Sequence, residues 1–341
     1  MKDKPNNKIK QIMKTKIALA AFAACALIGC NEKSADLPHK EYAAEGEDVT
    51  LTVNIPMARS KAVGIASGED AVNNVQIFVF DSASGYMEAY SSDDSGSDIE
   101  LTCKTGNKKV VALVNAPAVS DVYKLSQLSK VSLIDNTPDN LVMYGLQTCT
   151  LSTSQTITID VTRTVAKVVL KKVEVDFEAN QLNGKDLILK GAYLINVPAY
   201  YTLPHVEGSF SVTEWYNKMS NTGSSFQYIA DEIADTPVNK TKSYVTEHFF
   251  YTSPNGQTTD SSVTTWSPRY TRLVVEAEYD GVTYYYPVNL PQTKANTIYD
   301  VQMKITRLGS TSPDVRVSKL DETFKVNVLD WATGASFNEI I

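Results

Sequence analysis

Histidine is nearly missing: His39, His205 and His248 are the whole complement of a 341-residue chain. A histidine-based catalyst or a His-rich metal centre therefore has little to be built from. Cysteine is scarce as well, with four in all. Basic residues are in deficit, 32 against 39 acids for a net charge of −7, which argues against a nucleic-acid partner. There is no Gly-rich phosphate loop, and no histidine lies near a nucleophile-elbow pattern. The 38 acids left once the signal described below is removed are too scattered to pick out a hydrolytic pair. No helical period runs for any length. What the chain does have is 18 tyrosines and many Val, Thr and Ile, the residues that favour strands. The composition is that of a secreted β protein, not an enzyme, with no cofactor and no metal expected.

The apolar run from Ile17 to Gly29 is thirteen residues long, too short for a hydrocarbon core that needs about 20. Lys14 and Lys16 precede it, as in a secretory signal, and Met13 is an alternative start to Met1. The run ends in Leu27-Ile28-Gly29-Cys30, which resembles the lipobox of bacterial lipoproteins. That resemblance implies cleavage after Gly29 and acylation of Cys30. The signal carries six lysines and one aspartate, so its loss takes the charge from −7 to −12. An acidic surface gains nothing from anionic lipid, and the acyl chains would supply the attachment. Residues 30–48 then read as a polar tether.

Regular structure is expected from Val49, where Val49, Leu51, Val53 and Ile55 alternate with polar residues until Pro56. Strands are also expected at Val75 to Phe80 and, as two in succession, between Ile157 and Phe177. Thr105-Gly106-Asn107 predicts a hairpin joining Ile99–Cys103 to Lys109–Asn115. Spacings of three among Val122, Leu125, Leu128 and Val131 predict a short helix. In the second half, Leu187 to Val197, Asn296 to Leu308 and Phe324 to Leu329 read as strands. Asp280-Gly281 predicts a hairpin between Leu273–Tyr279 and Val282–Leu290. Pro198 to Tyr244 reads as a long insertion of little period. Many short strands without βαβ alternation predict an all-β chain of two antiparallel β-sandwich domains, 49–165 and 166–341.

Few constellations compete with packing roles. Asp93-Asp94-Ser95-Gly96-Ser97-Asp98 has the alternating oxygens of a calcium loop but no distal glutamate, and reads as a solvated hairpin. Cys103 and Cys149 are the two cysteines left once Cys25 departs and Cys30 is acylated; they are a possible disulfide or two buried thiols. Trp215, Tyr216, Phe226, Tyr228, Trp266 and the run Tyr284-Tyr285-Tyr286 offer either a sugar-stacking surface or core material.

An ordered set of segments carries a resemblance. Beside the lipobox stand VQIFVF at 75–80, LTCKTGNKKVVALVNAP at 101–117, Met143-Tyr144-Gly145, RTVAKVVL at 163–170, NTIYDV at 296–301 and FKVNVLDW at 324–331. In this order they resemble the Bacteroidetes fimbrillins, the FimA-type major and minor fimbrial subunits sometimes called type V pilins. The resemblance implies two transthyretin-like sandwich domains and a structural, non-enzymatic role. It also implies an outer-membrane lipid-anchored precursor that ends in an extracellular fimbrium. Its partners would be other copies of itself, related fimbrial subunits, a trypsin-like processing protease and, through the lipid, the outer membrane. In that family the protease cuts after a basic residue and the first strand is lost. Carried onto this chain, the cut falls after Arg59 or Lys61, and the displaced strand holds Val49, Leu51, Val53 and Ile55. The vacated groove takes a donor strand from another subunit, here from Phe324, Val326, Val328, Phe337, Ile340 and Ile341. Removing a strand exposes apolar surface and unpaired backbone, a template for another chain. A contrasting reading is a monomeric or tip lipoprotein that binds glycans or host proteins through its C-terminal domain.

Overall fold

Asp280 and Gly281 both take positive φ, +53° and +78°, as a two-residue type I′ turn requires. They join two strands paired from Tyr279↔Val282 to Arg272↔Asn289, the predicted hairpin. The computed structural model describes residues 45–56, 68–94, 98–128, 130–132, 135–203, 212–219, 229–259, 266–315, 323–331 and 336–339. The signal, most of the tether, Cys30, Arg59, Lys61, Ile340 and Ile341 lie outside the described residues.

In chain order the strands of the first half are β1 (Asp48–Asn54), β2 (Val75–Asp81), β3 (Met87–Asp93), β4 (Ile99–Lys104), β5 (Gly106–Val114), β6 (Lys130–Ser132), β7 (Met143–Leu151), β8 (Gln155–Thr158) and β9 (Thr162–Arg163). Next come β10 (Ala166–Val175), β11 (Leu187–Ile195), β12 (Val197–Pro198), β13 (Tyr200–Thr202), β14 (Trp215–Tyr216), β15 (Ala230–Val238) and β16 (His248–Thr252). The last are β17 (Arg272–Tyr279), β18 (Val282–Asn289), β19 (Thr297–Ile305), β20 (Thr323–Asp330) and β21 (Ser336–Glu339). Among the described residues helix is limited to short 3-10 turns such as Leu125–Gln127 and Asn180–Gly184. The chain is all-β.

Four main sheets pack in two facing pairs. The sheet β4-β1-β8 faces β3-β2-β5-β7-β9, and between them lie Leu51, Val53, Val75, Ile77, Val79, Val110 and Ala112. The sheet β16-β10-β19-β20-β21 faces β15-β11-β17-β18 across a larger core that includes Val168, Leu170, Leu189, Val275, Val301, Val326 and Trp331. β2 is buried on both sides, since Phe78 and Phe80 fill a separate cluster on its outer face with Val111, Leu113 and Tyr201. That explains its unbroken apolar sequence.

Several expectations are corrected. Thr105-Gly106-Asn107 is a corner, not a hairpin: β4 belongs to one sheet and β5 to the facing one, with Thr105 alone between them and Gly106 at φ +122°. A glycine there serves a change of sheet as readily as a turn. β3 and β4 are likewise in different sheets, so the acidic 93–98 stretch does not close a hairpin either. The sheets are not wholly antiparallel, because β1 pairs in parallel with β8 and β10 with β19. Their crossovers are made of strands and loops in place of helices. The predicted helix shrinks to the turn at Leu125–Gln127. The run from Ile157 to Phe177 holds parts of three strands where two were expected. The insertion after Pro198 contains β13, β14 and the nine-residue β15.

Candidate functional site: a central strand and a C-terminal pair

β1 lies in the middle of its sheet, antiparallel to β4 from Asp48↔Lys104 to Val53↔Ile99 and parallel to β8 from Leu51↔Gln155 to Asn54↔Thr158. Its alternation is the reason: Val49, Leu51, Val53 and Ile55 are buried, and Thr50 and Thr52 face outward. Leu51 and Val53 are wholly inaccessible, and burial of each contributes about 1.5–3 kcal/mol. Polar contacts fix the ends. Glu47 exchanges hydrogen bonds with Thr105, and the Ile159 N–H donates to the Asn54 carbonyl at 3.0 Å. Gly46 sits at φ +126° so close to Thr105 that a Cβ would lie 2.5 Å from its hydroxyl, so the chain can enter β1 there only as glycine.

At the other end of the chain, β20 pairs antiparallel with β19 from Thr297↔Asp330 to Lys304↔Thr323, and β21 covers its outer edge from Val326↔Glu339 to Leu329↔Ser336. Phe324 pairs with Met303 and Phe337 with Val328 by backbone register. Val326 is buried in the large core, and Val328 packs half-buried against it. β21 ends the sheet, so β20 and β21 are its last two strands.

Buried charge flanks this pair along the chain. Asp314, upstream of β20, is 2% exposed and lies 2.7 Å from both Arg269 and Arg272, which are themselves fully buried. It also accepts from Asn196 Nδ2 at 3.1 Å, while Arg272 reaches Asn289 at 2.7 Å. Downstream, Trp331 is fully buried. The Arg163 guanidinium lies 4.7 Å from its ring centroid, Lys167 Nζ 6.0 Å, and Tyr251 stacks on it at 6.2 Å. Its backbone N–H donates to Asn296 O at 3.0 Å. Its indole Nε1–H has no acceptor among the described residues, which costs about 1–3 kcal/mol.

The same cations hold Glu69. Gly68, at φ +97°, begins a turn in which the Ala71 N–H donates back to its carbonyl, and Glu69 is carried inward to 0% exposure. Its carboxylate lies 2.7 Å from Lys167 Nζ and accepts from the Tyr251 hydroxyl at 2.8 Å. Its carbonyl accepts from Arg163 Nε and Nη2 at 3.1 and 3.0 Å. Burial pulls the Arg163 guanidinium below its usual range, and Glu69, Asp70 and Tyr251 oppose that pull.

The remaining sequence candidates are placed as follows. Cys103 on β4 and Cys149 on β7 are both free thiols beside one core. Burial first and then Glu88 push the Cys103 thiol up to about 11, and burial raises Cys149 as well. His248, on the edge strand β16, links Asp231 and Tyr244 through its two ring nitrogens, each at 2.5 Å. Trp215 and Tyr286 are buried. Trp266 lies edge-on to Trp215 at 5.5 Å and beneath Lys218 at 4.8 Å. Among the described residues no group of three or more His, Cys, Asp or Glu is placed to hold a metal. Sequence reading missed Glu69, Lys167, Arg269, Arg272 and Asp314, because a charged residue in sequence carries no mark of burial. Arg163, in the middle of a β-branched run, is the one such residue whose setting was visible.

The family model of the major fimbrial subunit protein (FimA) matches residues 48–184. None of the curated proteins matches the sequence. Among solved structures, a candidate cell adhesion protein of Bacteroides eggerthii superposes with a TM-score of 0.65 at 18% identity, covering 84% of this chain and 97% of its own. A fimbrilin (FimA) of Porphyromonas gingivalis gives 0.57 at 15% identity over 84% and 98%. The C-terminally truncated tip fimbrial protein Mfa3 of the same organism gives 0.50 at 16% over 84% and 100%. At these identities the likeness is one of fold. The family match over residues 48–184 and the shared fold make this chain similar to the FimA-type fimbrillins.

Proposed function

We propose that this chain is a structural subunit of a cell-surface fimbria that polymerises by strand exchange. It is exported as a lipoprotein acylated on Cys30 and held at the outer membrane. A trypsin-like protease cuts after Arg59 or Lys61, β1 leaves, and a strand from the C-terminal segment of another subunit takes its place. The observation that carries the reading is the position of β1, central in its sheet and buried along one face. The candidate cut lies a few residues beyond its end. Its departure would bare two strand edges and an apolar trough, the features that recruit a strand from another chain. β20 and β21 are suited to donate, since they end their sheet. Such a contact is heterologous and propagates as a filament. The two halves, 49–165 and 166–341, act in this scheme as acceptor and donor domains. The role is structural, not catalytic, and the partners are further copies and related fimbrial subunits.

The glycan-binding alternative draws no support from Trp215 and Tyr286, which are spent on packing. Limited trypsin digestion of the purified precursor tests the proposal. One preferred cut after Arg59 or Lys61, followed by SDS-resistant ladders, is expected. Deleting residues 337–341 should abolish the ladders without preventing the cut. A chain that is cut, loses β1 and stays monomeric overturns the proposal.

A further inference from the structure

Glu69 stands ten residues after Arg59 and eight after Lys61, and so it remains on the chain after either cut. Yet its partners lie about a hundred residues or more further along the chain, Arg163 on β9, Lys167 on β10 and Tyr251 on β16. Arg163, Lys167 and Tyr251 bind Glu69 on one side and surround Trp331, the residue just after β20, on the other. We propose that Glu69 is a latch that keeps the C-terminal strands in their own subunit until the chain ahead of it is cut. The inference rests on the strand-exchange reading and adds a coupling between its two halves.

The argument runs through buried charge. In the uncut chain Glu69 is tied through its N-terminal side to β1, whose side chains are anchored in a core. Cutting removes that tie and places Glu69 near a chain end, where fraying is easy. When Glu69 leaves, Arg163 and Lys167, each 2% exposed, lose a countercharge at a site closed to water. Breaking a buried ion pair by removing one partner is strongly destabilising, so the site opens. Water then reaches the unpaired Trp331 N–H, and the indole loses the cations and the ring that seat it. β20 is left with its ladders to β19 and β21 and its contacts in the core. One cut thus vacates the acceptor groove and loosens the donor, and an uncut subunit offers neither.

Hydrogen exchange on the full-length uncut chain tests this. In Glu69→Ala, amides of β20 should exchange on the order of tenfold faster than in the unmodified chain, while those of β1 and β17 keep their protection. Unchanged β20 protection in a variant with β17 intact overturns the latch. Should Glu69→Ala fail to fold, Glu69→Gln removes the charge at nearly constant volume and is judged by the same criterion. Cutting the unmodified chain at high dilution should loosen β20 in the monomer before any assembly. Loosening without ladders at higher concentration leaves the latch standing and sinks strand exchange. Ladders with β20 equally protected in the uncut chain, the cut monomer and Glu69→Ala sink the latch and leave strand exchange standing.

Discussion

β1 and β20 are strands of nearly equal length with alternating apolar residues, yet the molecule holds them by different means. β1 has a ladder on each side and an apolar trough beneath it, and the ion pair Asp48–Lys104 at 2.8 Å is partly exposed. Such a pair is worth about 0–1 kcal/mol. β20 has a full ladder on one side, a partial cover on the other, and buried charge at both approaches: Asp314 before it, Arg163 and Lys167 around Trp331 after it. Apolar holding is graded and indifferent to the identity of the strand, so another alternating strand can replace β1. Ionic holding depends on every partner staying in place, because removal of one strands the others. The first arrangement suits substitution and the second suits release.

The largest effect that sharpens this contrast is expected at Asp314. Asp314→Ala leaves Arg269 and Arg272 buried without their carboxylate and should cost about 3–5 kcal/mol in denaturant unfolding. The loss should be the same before and after processing, since Asp314 belongs to neither strand. A loss under about 1 kcal/mol would remove the ionic half of the comparison. Leu51→Ala comes next, at about 2–5 kcal/mol for a wholly buried leucine. Under the proposed strand exchange the cost should appear in the thermal unfolding of the precursor and vanish in the processed polymer, which would no longer contain the residue. An equal cost in both would show that β1 had not left.

A smaller effect is expected with pH at Cys103, whose thiol pKa the fold raises to about 11. The thiol in the unfolded chain ionises near 9. The folded state therefore holds the proton more tightly, and this contribution is full below pH 9 and lost as pH rises towards 11. Cys103→Ala should flatten that alkaline decline in the denaturation midpoint. In the unmodified chain a thiol reagent at pH 8 should label Cys103 slowly, and faster once β1, paired to it at Val49, has departed. Labelling at one rate in both forms would break the picture of β1 as a removable cover.

How much of this was legible in sequence depends on how far each determinant reaches. Asp280-Gly281 was read correctly because a type I′ turn is settled by two residues and their φ angles. Thr105-Gly106-Asn107 carries the same local signal, but whether a glycine turns a strand back or passes it to the facing sheet depends on partners far away. β15 was invisible because only Ile233 and Val238 are buried along Ala-Asp-Glu-Ile-Ala-Asp-Thr-Pro-Val, an edge strand that tolerates a proline. The parallel partners β8 and β19 lie more than a hundred residues from β1 and β10, beyond any periodicity. Of the site, the alternation of β1 was plain. Glu69 was not, since nothing near Ser67-Gly68-Glu69-Asp70 says that this acid turns inward and its neighbour does not.

The mixed pairing of β1 has a consequence for the polarity of the proposed fibre. Because β4 runs against β1 and β8 runs with it, β4 and β8 are opposed to each other. Any strand lying between them, whichever way it points, meets one parallel and one antiparallel neighbour. The backbone of the groove is thus nearly blind to direction. Under the proposed strand exchange, head and tail of the fibre would be read by the shapes that Leu51 and Val53 leave behind, not by the ladder.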